Sequence, residues 1–158
     1  TVAAVYDRGR PSYPRDAVAW LTADRPLSVL ELGAGTGKLT EQLVARGCSV
    51  TATDPSEAML SRLTRRAPEA RALAGTAEQI PVRPRSVDLV VAAQAFHWFD
   101  ADRTLHEVLG MQCDHIGFLP FDPLVRRTAG RRIGTLDDYS GMKITGNIWM
   151  TQLSRTPN

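Results

Sequence analysis

The sequence predicts an α/β fold of the Rossmann-like, doubly wound kind: a mainly parallel sheet with helices on both faces. Three observations carry that expectation. Short apolar runs alternate with segments of helical spacing from Ser28 to Leu109, the pattern of a parallel sheet whose crossovers are helices. The first apolar run passes into a helix through a glycine-rich segment, Glu31 to Lys38, and the second closes on Asp54-Pro55. Crossovers between parallel strands are almost always right-handed, which leaves a doubly wound arrangement as the expected one.

The elements follow in order. Tyr6 to Pro14 (YDRGRPSYP) is polar and rich in turn-formers, and reads as an irregular arm over residues 1–14. Ala17, Val18, Trp20 and Leu21 form one helical stripe that Pro26 ends. Ser28 to Leu32 (SVLEL) reads as a buried strand, and Thr40 to Arg46 as a helix stopped by Gly47. Ser49 to Thr53 is a second strand. Ser56 then caps a helix through about Arg66, with Met59, Leu60 and Leu63 on one face. Ala70 to Ala74 is a third, weaker strand, Val87 to Ala92 a fourth and the most apolar, and Asp102 to Leu109 returns to helix.

Beyond Gly110 the pattern changes. His115 to Phe121 is a short strand candidate broken by Gly117 and Pro120, and no continuous apolar strand follows the fourth. Arg126 to Arg132 is basic and reads as solvated surface. Met142 to Leu153 alternates, with Met142, Ile144, Ile148 and Met150 on one face, as a late edge strand would. The expectation is one domain over 1–158 with an atypical tail at 111–158. Without a fifth strand its sheet would end in an exposed edge open to a second copy of the chain.

Composition bounds the function classes. The chain has 158 residues, 43% of them hydrophobic and 23% charged, with a net charge of +2. That is enough to bury a core, and the near balance of charge argues for neither nucleic acid nor anionic membrane as partner. No apolar stretch has membrane-spanning length and no signal-peptide pattern is present. The only two cysteines, Cys48 and Cys113, give no disulfide framework, so a cytoplasmic setting is expected. His106, Cys113 and His115 lack the fourth ligand and tight pairing of a zinc site, so no metal is expected.

Glycines at a strand-to-helix turn let backbone N–H groups approach a ligand. In Glu31-Leu32-Gly33-Ala34-Gly35-Thr36-Gly37-Lys38, three residues separate Gly33 from Gly37 and Leu39 follows Lys38, which excludes a Walker loop. The dinucleotide pattern Gly-x-Gly-x-x-Gly is missed by one residue. A carboxylate at Glu31 would repel a pyrophosphate and attract the ammonium of an amino-acid moiety. The loop therefore favours S-adenosylmethionine over NAD, and an NAD-binding oxidoreductase is the disfavoured alternative. Asp54, ending the neighbouring strand, can accept both ribose hydroxyls or cap the helix beside it. Gly75 to Pro81, with Ala77 and Glu78, can line a flat slot for adenine. His97 follows the fourth strand where open α/β sheets bind ligands, and is either a substrate contact or base, or a packing histidine.

VLELGAGTGKLT (Val29 to Thr40), TATDPSEAML (Thr51 to Leu60), GTAEQIPV (Gly75 to Val82) and SVDLVVAAQAFHWFD (Ser86 to Asp100) resemble, in order and spacing, the successive motifs of class I S-adenosylmethionine-dependent methyltransferases. YDRGRPSYP and QAFHWFD resemble the trans-aconitate methyltransferase-like branch. The resemblance covers about the first 110 residues. It implies methyl transfer to a small molecule, such as a carboxylate. It also implies that Gly33, Ala34, Gly35 and Gly37 pass under the methionine and ribose portion and that Glu31 holds the amino end. Asp54 would take the ribose, Pro55 would pack on adenine beside Ala77 and Glu78, and Gln94 would sit at the methionine end. Tyr6 and Arg10 would close over the cofactor. Family members continue into an Arg-x-Leu-x-Pro-Gly-Gly turn, a fifth strand and an antiparallel hairpin. Here Leu109 leads to Gly110-Met111-Gln112-Cys113 instead. An inactive cofactor-binding remnant is therefore the alternative function.

Overall fold

The structure is a computed structural model and describes residues 12–13, 15–23, 25–119, 142–145 and 148–152. Its elements in chain order are α1 (Arg15–Leu21), β1 (Ser28–Leu32), α2 (Lys38–Ala45), β2 (Ser49–Asp54), α3 (Glu57–Arg66), β3 (Arg71–Ala74) and β4 (Leu89–Ala93). A 3-10 turn (Phe96–Trp98), α4 (Ala101–Gly110), β5 (His115–Leu119), β6 (Met142–Thr145) and β7 (Ile148–Gln152) complete it. The strands form one sheet in the order β3-β2-β1-β4-β5-β7-β6. The first five are parallel, and β7 and β6 add on antiparallel. The Rossmann-like expectation is met.

Period-two alternation in the central strands sends side chains to two cores. Val29, Leu89 and Val91 pack with Val18 and Leu21 of α1, Leu39 and Leu43 of α2 and Leu63 of α3. Leu30, Leu32, Val90 and Ala92 pack on the other face with Val108 of α4. A strand buried on both faces carries no polar positions, and β4, LVVAA, is buried throughout. The Ser56 cap expected from the sequence is present, its Oγ accepting from the Met59 N–H at 3.4 Å; at α4 Asp100 Oδ1 likewise accepts from the Arg103 N–H at 3.2 Å.

Two expectations for the tail are corrected. The sheet does not stop at β4: β5 pairs with it in parallel from Leu89↔His115 to Ala93↔Leu119, and the seven-stranded sheet continues past it. The edge expected after β4 is therefore covered within the chain, which removes the basis for pairing a second copy there. Met142 to Leu153 is also not one strand. It contains two, paired with Ile144 opposite Trp149 and Thr145 opposite Ile148. The even positions of β6 stand across from odd positions of β7, so Met142 and Ile144 are not in register with Ile148 and Met150. The Arg126 to Arg132 segment and nearly all of the arm at 1–14 lie outside the described residues.

The topology locates a site. The chain leaves β1 for β2 and β3 on one side, then crosses to β4 on the other. The carboxyl ends of β1 and β4 thus flank the switch point where open α/β sheets hold ligands.

Candidate functional site

The loop from β1 into α2 is built on three left-handed glycines, Gly33, Gly35 and Gly37, with φ of +63°, +57° and +84°. They differ in what surrounds them. A Cβ on Gly37 would come within 2.8 Å of Leu63 Cγ, and one on Gly33 within 2.7 Å of Ala95 Cβ. At Gly35 nothing lies within 4 Å of where a Cβ would stand. Two of these glycines thus serve close packing, whereas Gly35 leaves an open cradle facing a cleft. That cleft is small and open to solvent, and is bordered by Tyr13, Gly33, Gly35, Thr36, Lys38 and Ala93, among others.

Two carboxyl groups stand at the loop in different states. Asp54, 9% exposed at the end of β2, accepts the Gly35 N–H on Oδ2 at 2.9 Å and the Ser56 N–H on Oδ1 at 2.8 Å. It joins the glycine loop to the start of α3, and each oxygen keeps a lone pair for a further donor. Glu31, 2% exposed on β1, accepts a 2.6 Å hydrogen bond from Thr40 Oγ1 of α2. Burial pushes its carboxyl up to about 8; the Thr40 hydrogen bond opposes the rise and the nearby Asp54 charge adds to it. At neutral pH Glu31 is thus largely protonated until a cation approaches. The charge argument against a pyrophosphate is weaker than the sequence implied, and the argument from glycine spacing stands.

Pro55 is exposed immediately after Asp54. Ala77 is buried in the core under α4, backbone included, at 2% exposure. Glu78 Oε1 accepts the Asp100 N–H at 2.8 Å, and Glu107 Oε2 accepts the Ile80 N–H at 3.3 Å. The loop after β3 is thereby fastened to α4 and its entry. Ala77 and Glu78 are not among the described residues bordering the cleft. Gln94, directly after the cleft residue Ala93, has φ +53° and a buried Oε1 without a hydrogen-bond partner. Left-handed backbone in a non-glycine residue and an orphaned buried acceptor are both uncommon, and here they coincide at one residue. The backbone of His97 lies in the 3-10 turn; its side chain, like Tyr6 and Arg10, lies outside the described residues. Phe99 packs against Gly33 and edge-on to Phe96, whereas Trp98 is 74% exposed.

Several site residues escaped the sequence reading. Tyr13 borders the cleft and is tied to α2, its carbonyl accepting from Gln42 Nε2 at 2.8 Å. It lies within YDRGRPSYP, so a signal was present. Thr36, Thr40 and Arg66 act through contacts distant in sequence, which no local pattern records. Among the described residues, no group of three His, Cys, Asp or Glu side chains is placed to hold a metal ion. No helix among them is long and apolar enough to cross a membrane.

The residues present fit an adenosyl amino acid: an open backbone cradle at Gly35, the Asp54 carboxyl bonded to it, Glu31 nearby, and a buried Gln94 Oε1 without a partner next to the cleft residue Ala93. Comparison with known proteins gives the same direction. A family profile described as a methyltransferase domain matches residues 29–111, more than half of the chain. An uncharacterized methyltransferase of Mycobacterium tuberculosis is 53% identical over 103 residues, covering 65% of this chain and 42% of the relative. One from Schizosaccharomyces pombe is 37% identical over 110 residues, covering 66% and 44%. The chain thus spans less than half the length of these curated relatives. Magnesium protoporphyrin IX methyltransferase of Synechocystis, solved with bound S-adenosylmethionine, shares the fold. Its TM-score is 0.66 at 19% identity, covering 88% of this chain and 77% of that one. The cofactor of the chain is S-adenosylmethionine, and the chain belongs to the methyltransferase domain family.

Proposed function

We propose that the chain transfers the methyl group of S-adenosylmethionine to a small molecule bearing a carboxylate, within the trans-aconitate methyltransferase-like branch. The observation that carries the reading is the Gly35 cradle, left-handed and open to the cleft, with its N–H held by Asp54. When bound, the cofactor supplies a sulfonium-activated methyl group for in-line displacement.

The protein's part is mainly alignment and exclusion of water. The backbone at Gly33, Ala34, Gly35 and Gly37 runs under the methionine and ribose portion. Asp54 would take the ribose hydroxyls on its remaining lone pairs, and Glu31, releasing its proton to solvent, would hold the ammonium. Pro55, Ala77 and Glu78 would border the adenine. Gln94 would offer its Oε1 at the methionine end, and Tyr6 and Arg10 would contribute to the cofactor site from the arm. A carboxylate acceptor has no proton to lose, so for such a substrate His97 orients the acceptor; it removes a proton only from a protonated nucleophile. Residues 1–158 act as one cytoplasmic domain in this reading, with the arm at 1–14 and the tail at 111–158 shaping the acceptor side. The inactive-remnant alternative drew on a missing fifth strand, and β5 supplies one.

The test is methyl transfer from methyl-labelled S-adenosylmethionine to a panel of small carboxylic acids, amines and phenols. Label is expected in carboxylate esters. Transfer confined to amines or phenols would overturn the substrate class, and cofactor binding without transfer to any acceptor would favour the remnant.

A further inference from the structure

α3 (Glu57–Arg66) lies behind the glycine loop and touches it at consecutive residues. Leu63 is fully buried against Gly37, where an added Cβ would also come within 3.1 Å of the Leu63 Cα. One turn on, Arg66 ends the helix. Its Nη1 donates to the Thr36 carbonyl and to Thr36 Oγ1, each at 3.0 Å. Its Nε stands 3.7 Å from Glu41 Oε2 in the first turn of α2. Thr36 is only 4% exposed and sits between the cradle residue Gly35 and the packing residue Gly37.

We propose that Arg66 is a positioning residue for S-adenosylmethionine. It holds the carbonyl and hydroxyl of Thr36, and so keeps the Gly35 cradle formed before the cofactor arrives. The inference rests on the cleft being the cofactor site. Its physical basis is that three successive loop residues are each fixed by the β2–α3 unit: Gly35 by Asp54, Thr36 by Arg66 and Gly37 by Leu63. Left-handed glycines are the residues most able to leave such a conformation, because glycine has the widest backbone freedom to regain. A charged donor shared by two acceptors offsets that freedom at the middle residue. A lysine ammonium is a compact point charge and does not reproduce the planar fork that meets Thr36 and Glu41 together.

The test is calorimetric titration of S-adenosylhomocysteine into the whole chain, beside thermal melts without ligand. Arg66→Ala is expected to weaken binding about tenfold, the scale of losing one charge-assisted contact, with a cofactor KM that rises more than kcat falls. Arg66→Lys is expected to recover part of the loss. Thr36→Val, which removes only the hydroxyl, is expected to weaken binding about threefold, and serves if Arg66→Ala does not fold. Wild-type affinity in a folded Arg66→Ala, or in Thr36→Val if that variant alone folds, would overturn the inference. A wild-type chain that binds no S-adenosylhomocysteine would instead overturn the reading of the site.

Discussion

The two sides of the switch point differ in how their polar groups are used. On the β1–β2 side, Asp54 accepts two backbone N–H groups, Glu31 is bonded to Thr40, and Arg66 holds Thr36. On the β4 side, Gln94 keeps a buried Oε1 without a partner in a left-handed backbone, and Trp98 is left mostly in solvent. The first side is organised by contacts within the chain, with lone pairs left on Asp54 for a further donor, as suits a site that must hold a cofactor in a set geometry. The second carries one buried acceptor without a partner, Gln94 Oε1, on a left-handed backbone. Preorganisation is concentrated on the first side.

Substitutions can break or sharpen this contrast. The largest effect on stability is expected at Gly37→Ala, where a left-handed φ of +84° combines with a 2.8 Å approach to Leu63. A loss of about 3 kcal/mol by denaturant titration is expected from strain plus overpacking. Next is the pH dependence set by Glu31. Its folded value lies near 8 against an ordinary 4.5, so the folded chain holds a proton that the unfolded chain has released across that window. Its contribution to stability is therefore fully present below about pH 4.5 and is lost as pH rises through about 8. The slope is at most about 1.4 kcal/mol per pH unit. Glu31→Gln should flatten the profile between these limits, and an unchanged profile would show that another group sets it. The smallest effect on stability is expected at Gly35→Ala, about 1 kcal/mol from backbone strain alone. That variant should nonetheless lose cofactor affinity more than Gly37→Ala does relative to its stability, because its methyl group occupies the cradle.

Much of this was legible in the sequence, for reasons that differ by element. SVLEL and VDLVVA read as strands because both faces are buried and neither run contains a polar interruption that matters to pairing. Glu31, Asp54 and the glycine spacing were readable because their chemistry is local to one turn. β5 was harder. HIGFL contains Gly117, which weakens local strand preference, yet pairing with β4 on one side and β7 on the other supplies both ladders. The β6–β7 pair was read as one strand because alternation alone does not show a reversal. The Gly146-Asn147 dipeptide between the two segments was the turn signal. The protonation of Glu31 and the Arg66–Thr36 contact depend on burial and on residues thirty positions apart, which appear only once the chain is folded. Arg66 itself, one of two basic residues closing α3, carries no local mark that separates it from a solvated charge.

The most direct test of a preformed adenosyl site is calorimetric titration of the ligand-free chain with S-adenosylhomocysteine and, separately, with NAD. Saturable one-to-one binding of S-adenosylhomocysteine is expected, with no heat from NAD and with binding lost in a folded Asp54→Ala variant. Binding of NAD with no response to S-adenosylhomocysteine would contradict the assignment of the Glu31 to Lys38 loop.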